Sequence, residues 1–179
     1  HPIVVGKQDG DELLRTTPPT PGADEHYARE PLSTRTSSAD VASEIRKLRR
    51  EHFGTMRKQS IREEGYEKLK QFRQPSSITP LYEELRAEQD DVVLAMLDHV
   101  ASLGDAGQAA LTWMAIMDAT PALRHEAQLR ITQPASSATL GVLDTALRSS
   151  DDMVANRAGS LAGVIGATQA IPLLIAAQA

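Results

Sequence analysis

From residue 41 onward, apolar residues recur at spacings of three and four, and before it they hardly recur at all. Val41, Ile45, Leu48 and His52 share one helical face, while Arg46, Lys47, Arg49 and Arg50 occupy the other. Asp40 is placed to cap this helix and Gly54 to end it. Ile61, Gly65, Leu69 and Phe72 predict a second helix, capped by Ser60 and stopped before Pro75, so 40–73 reads as a helix pair. Ile78, Leu81 and Leu85, then Val93, Leu97, Val100 and Leu103, predict a second pair over 76–104. Asp90 or Asp91 would satisfy the open amides at the start of its second helix. The next pair, 105–132, rests on Leu111, Met114 and Ala115, then Leu123, Ala127 and Ile131, with Thr120 as cap and Pro121 in the first turn. Leu140, Leu143 and Leu147 lead to Val154, Ala158, Leu161 and Ile165 in a pair over 135–166, whose second helix opens at Asp151 and Asp152 and stops at Gly166. Residues 167–179, with Leu173, begin a pair that is not completed.

The pairs are periodic. Taking Ile61, Val93, Leu123 and Val154 as the first core residues of the second helices, the steps are 32, 30 and 31 residues. Ile78, Leu81 and Leu85 map onto Leu140, Leu143 and Leu147 with a common shift of 62. A helix pair repeated at such a period leaves an apolar face that only its neighbour covers, which predicts an all-α solenoid over 39–179. Residues 1–38 differ, with Pro18, Pro19, Pro21, Pro31, many Ser and Thr, and little apolar material beyond Ile3 to Val5 and Leu13-Leu14. Too little surface is available there to offset chain entropy, so a disordered arm is expected. His1 in place of an initiator methionine, and the apolar last residues, are read as signs of a fragment or processed product. They leave a cytoplasmic location and export after signal removal both open.

Asp151-Asp152-Met153-Val154, Ala158, Ile165-Gly166 and Ala170-Ile171-Pro172-Leu173 form a pattern that resembles the short HEAT-like repeat, also called the phycobilisome-lyase type. Asp90, Val93, Leu103-Gly104 and Pro80-Leu81 carry a second copy. The likeness spans roughly 60–179 and implies a right-handed α-solenoid of antiparallel helix pairs, about 4.5 repeats long. Such repeats carry Arg directly after the valine position. Arg62 and Arg124 keep it, and Leu94 and Ala155 replace it. An open solenoid presents long, shallow surfaces and lacks the closed pocket that chemistry needs, which predicts a protein-binding scaffold without catalysis of its own. The alternatives the resemblance admits are an accessory or catalytic part of a bilin-lyase-like enzyme, or a nucleic-acid binder.

Composition narrows these readings. Cysteine is absent, which excludes disulfides and thiolate-bound metal, and aromatics are only 3% of the chain, so any core is aliphatic. The net charge of -5 is segregated, with -2 over 1–39, +4 over 40–74 and -7 over 75–179. Arg46, Lys47, Arg49 and Arg50, with Arg57, Lys58 and Arg62 nearby, are candidate contacts to an acidic protein surface. Nucleic acid ranks below protein as a partner, because glutamates interleave with these cations and no aromatic platform accompanies them. Positions one and five after each reference residue add Arg62, Tyr66, Asp98, Arg124 and Gln128 as candidates for the surface binding a peptide or protein.

Other features read as structural. His99 and His125 differ in register and offer no two-ligand spacing on one helix, so neither a metal nor a cofactor is expected. Asp90-Asp91 and Asp151-Asp152 lack the alternating oxygens of a calcium loop. Ala158 to Ala179 carries no charge, but a turn at Gly166 argues against a membrane span. Trp113 is expected in the core, filling space beside small alanines.

Overall fold

The computed structural model describes residues 38–165 and 171–177. The predicted arm and the predicted stop at Gly166 lie outside them, apart from Ser38. Nine helices are present among the described residues: α1 (Ser38–His52), α2 (Gln59–Leu69), α3 (Ile78–Leu85, entered through a 3-10 turn at Pro75–Ser77), α4 (Asp90–Ala101), α5 (Gly104–Met117), α6 (Pro121–Leu129), α7 (Ser137–Leu147), α8 (Asp152–Val164) and α9 (Ile171–Ala177). The fold of these residues is all-α, and no strand occurs among them. Consecutive helices pack as α1 on α2, α3 on α4, α4 on α5, α5 on α6 and α7 on α8. Helices two apart also pack: α1 on α3, α5 on α7 and α7 on α9, and separately α2 on α4 and α4 on α6.

The even helices keep a constant step. Gln59, Asp90, Pro121 and Asp152 begin α2, α4, α6 and α8, each 31 residues after the last. Gly65, Met96, Ala127 and Ala158 hold equivalent places and are all buried, as are Leu69, Val100, Ile131 and Ala162 four residues on. The step corrects one expectation. The reference residue of the second pair is Val92, which is fully buried, and Val93 beside it is only half-buried. Adjacent valines both fit a helical spacing, and only the fixed start of α4 separates them. The residue after the reference position in that pair is therefore Val93, where Leu94 was expected.

Among the odd helices Leu81, Thr112 and Leu143 are 31 apart and each fully buried. A hydroxyl at the middle position is accommodated because Thr112 Oγ1 donates to the Gln108 carbonyl at 2.7 Å and lies 3.2 Å from Thr139 Oγ1. That polar residue interrupts the apolar row shared by α3 and α7, while Leu111, Met114 and Ala115 still mark α5 in the sequence. Phe53, also fully buried, stacks on Tyr66 with ring centroids 5.5 Å apart and fills the junction of α1 and α2.

Several caps fall elsewhere than the pattern suggested. Helix α1 begins at Ser38, which puts Asp40 inside its first turn. Lys58 and Gln89 occupy the cap positions of α2 and α4, so Ser60, Asp90 and Asp91 lie within the helices. Thr120 holds the cap position of α6 with Pro121 following, but its side chain makes no capping bond. Asp151 does cap α8, accepting from the amides of Met153 at 2.8 Å and Val154 at 3.4 Å, an arrangement worth about 1 kcal/mol. Gly104 takes φ +63°, the left-handed backbone needed to turn from α4 into α5 in so few residues.

Candidate functional site

The basic face of α1 is largely neutralised by its neighbour. Arg46 Nε lies 3.0 Å from Glu84 Oε1, Arg49 Nη1 3.0 Å from Glu84 Oε2, and Arg49 Nε 2.7 Å from Glu88 Oε1. These pairs tie α1 to α3 and the turn after it. Lys47 faces Glu51 at 4.0 Å. Arg50 has no carboxylate partner among the described residues, and its carbonyl accepts a bond from Arg57 Nη2 at 2.9 Å.

The residues expected along the even helices are mostly engaged in ties between repeats. Arg62 donates to Gln89 Oε1 and to Asp91, and the Tyr66 hydroxyl also donates to Asp91. Burial pushes the Asp91 carboxyl up, but the Tyr66 hydroxyl, the Arg62 guanidinium and the Val92 amide together hold it below its ordinary value. Burial, with donation to Asp91, raises the Tyr66 hydroxyl. Arg124 Nη1 donates to the carbonyls of Asp118 and Ala119 at 2.7 and 3.1 Å, securing the turn before its own helix. Asp98 accepts from Arg130 Nε at 2.6 Å. Because the true reference is Val92, the repeat equivalent of Tyr66 and Gln128 on α4 is the fully buried Leu97, so Asp98 does not continue that row. Gln128 is half-buried on α6.

The histidines are likewise separated. His99 is buried, with Nε2 2.8 Å from the Phe72 carbonyl, and His125 is exposed. A hollow of about 550 Å³ beside His99 includes Lys70 and Arg73. Lys70 pairs with Glu67 at 2.6 Å, and Arg73 Nε reaches the Lys70 carbonyl at 3.4 Å. Its polar groups already have partners. Among the described residues no cluster of three or more His, Asp or Glu could hold a metal ion, and no helix is long and apolar enough to cross a membrane.

The feature that stands open is apolar. Trp113, expected in the core, is 45% exposed on α5, with Met117 one turn on at 42%. Register decides this: Leu111, Met114 and Ile116 take the inward face of α5, which turns Trp113 outward. A hollow of about 410 Å³ between α3 and α5 is lined by Ile78, Tyr82, Glu83, Ala110 and Met114, with Trp113 as one wall. A second, of about 570 Å³, lies between α5 and α7 against Met117, Ala138, Gly141, Val142 and Ala146, and Trp113 forms its wall too. A Cβ built on Gly141 would meet nothing within 4 Å, so that glycine keeps the floor of the second hollow open.

Trp113 is held from behind. Its ring meets Tyr82 edge to face, with centroids 5.6 Å apart and an interplanar angle of 89°, a contact worth about 1 kcal/mol beyond the area it covers. The Tyr82 hydroxyl donates to Asp118 Oδ2 and accepts from Arg86 Nη1 at 2.9 Å. Burial, with donation to Asp118, raises the Tyr82 hydroxyl above its ordinary value, against the opposing Arg86. Asp118, 2% exposed, also accepts from the Thr120 amide at 2.7 Å, and Arg86 Nη1 stands 3.5 Å away. This buried network fixes the Tyr82 ring and, through it, the indole. Its two halves, Tyr82 with Arg86 and Asp118 with Thr120, are distant in sequence, and no local motif joins them. In comparisons with known proteins the chain matches no family model, no curated protein and no solved structure.

Proposed function

We propose that this chain is a protein-interaction scaffold made of HEAT-like helix pairs wound as a right-handed solenoid, without catalysis of its own, that docks a peptide or protein segment on the Trp113 face. The constant step of 31 residues between even helices, and the packing of helices two apart, support the repeat reading. The observation that carries the binding reading is the placement of Trp113, 45% exposed between hollows of about 410 and 570 Å³. Aromatic anchors with apolar clefts on both sides are where partners bury most of their binding energy. Helices packed at about 8–10 Å put the two clefts roughly three residues of a polyproline II segment apart. Because that conformation has about three residues per turn, side chains i and i+3 of a segment crossing α5 lie on one face and fit astride the indole.

The bilin-lyase-like and nucleic-acid readings have less support. Of the cations on α1, Arg46 and Arg49 already carry glutamates. On the even helices Arg62, Tyr66 and Asp98 serve ties between repeats.

Trp113 is the single tryptophan of the chain, so its emission reports on the site directly. Selection of peptides from a random display library on the immobilised chain should enrich sequences with apolar residues spaced by three. Those peptides should shift the Trp113 emission. Gly141→Leu, which fills the second hollow from an open position, should weaken them tenfold or more without lowering the melting temperature. Peptides that bind wild type, Gly141→Leu and Trp113→Ala equally, or no enrichment at all, would refute the assignment.

A further inference from the structure

The turn joining α1 to α2 carries a different surface. Subtracting the pairs Arg46–Glu84, Arg49–Glu84 and Arg49–Glu88 from the basic section leaves Arg50, Arg57 and Lys58 without a carboxylate partner among the described residues. Arg57 crosses Gly54, with Cγ and Nε 3.7 Å from where a Cβ would sit, and reaches the Arg50 carbonyl, which gathers two of these cations at the end of α1. Lys47 lies one turn before Arg50, and its Glu51 is the acidic residue of the segment 46–58. Between Thr55 and Arg57 stands Met56, 94% exposed, the most exposed large apolar side chain described. A methionine presented so fully at a turn contributes nothing to the core that its helices enclose.

We propose that this tip, Met56 with Arg50, Arg57 and Lys58, is a peripheral contact for the surface of an anionic lipid bilayer, independent of the Trp113 face. A bilayer takes an isolated protruding apolar side chain without needing a complementary cleft, while cations beside it lie at headgroup level. The rest of the chain is acidic, but screening over about 10 Å at 0.1 M salt lets the local charge of the tip govern the encounter. Each cation near an anionic leaflet contributes about a fivefold gain in partitioning, so three contribute roughly a hundredfold. Burial of the methionine side chain adds about tenfold or more.

Co-sedimentation of the chain with vesicles of pure phosphatidylcholine, and with vesicles containing about a third phosphatidylserine, tests this directly. Binding should be about a hundredfold stronger to the phosphatidylserine vesicles at low salt, and should collapse at high salt. Lys58→Gln, which breaks no contact within the fold, should cost about fivefold, and Met56→Gln about tenfold with the salt dependence unchanged. Far-UV circular dichroism confirms that each variant is folded. Equal binding to both vesicle types, absence of binding to either, or phosphatidylserine binding that survives Arg50→Gln, Arg57→Gln and Lys58→Gln combined would overturn the proposal. So would capture of a polyglutamate peptide by the tip under conditions where vesicles are ignored, which would make an acidic protein the partner. None of these outcomes depends on the peptide site at Trp113.

Discussion

Gly107 is the position where a single added carbon has the largest consequence. It lies in the first turn of α5, where that helix crosses the last turn of α4, and a Cβ built on it would stand 1.9 Å from the Val100 carbonyl oxygen and 3.0 Å from its carbon. The obstacle is backbone, not the end of a flexible side chain. Val100 O already accepts the Leu103 amide at 3.0 Å in the turn that leads to Gly104. Relief therefore requires α4 and α5 to separate by more than 1 Å, which unpacks the fully buried Val100 and Leu111 on either side. Overpacking of this kind costs about 3 kcal/mol or somewhat more. Alanine recovers about 1 kcal/mol in helix propensity, so the net loss for Gly107→Ala is roughly 2 kcal/mol. For a domain of this size that lowers the melting temperature by about 6–10 °C. Gly141→Ala is the matched control, since it is also helical, has open space where the Cβ goes, and gains the same propensity term. It should raise the melting point by about 3 °C. Thermal and urea denaturation followed by circular dichroism reads both. A Gly107→Ala protein that melts at or above wild type would show that the close crossing of α4 and α5 is not as described.

Three further outcomes follow from the same geometry. Val92→Ala should cost about 2–3 kcal/mol in urea unfolding and Val93→Ala about 1; the reverse order would restore the original reference residue. Asp118→Ala, which removes the acceptor of the Tyr82 hydroxyl and the Thr120 amide while leaving the half-exposed Arg86 solvated, should cost about 2–3 kcal/mol, and a double-mutant cycle with Tyr82→Phe should show strong coupling; additive losses would contradict a shared network. Asp91 has its carboxyl held below the ordinary value when folded, so its contribution is fully present above the unfolded pKa, about 3.9, and is lost as pH falls through the lower folded one. Asp91 is half exposed and screened, so the contribution is about 1 kcal/mol or less; Asp91→Asn should flatten the acid limb of the stability profile, and an unchanged acid limb would rule out the pairing with Arg62 and Tyr66.

Much of the helical architecture was written in local pattern. Spacings of three and four, with glycine and proline between them, delimit the helices because one face must be apolar to be covered. The even-helix face persists in structure, from Gly65 and Leu69 to Ala158 and Ala162, with Val92 and Met96 taking the place expected of Val93 in the second pair, since the same covering problem recurs in each pair. What periodicity could not resolve was the choice between adjacent apolar residues. Val92 and Val93 fit equally well until a helix start fixes the phase, and Trp113 reads as core or surface depending on a rotation of α5 that Leu111, Met114 and Ile116 settle only by packing together.

Charge was the least legible quantity, because its meaning depends on partners distant in sequence. Arg46 and Arg49 looked free and meet Glu84 across 38 and 35 residues, while Arg62 and Asp98 became ties to Asp91 and Arg130. Sequence alone thus determined that the chain past residue 40 forms paired helices at a step near 31, because helix propensity and amphipathic spacing are local. Tertiary structure alone decided which cations remain unpaired, that Asp118 is buried under Tyr82, and that Trp113 faces outward between two clefts. Those depend on which helices touch, and the free energy of a charge or an indole is set by its neighbours in space.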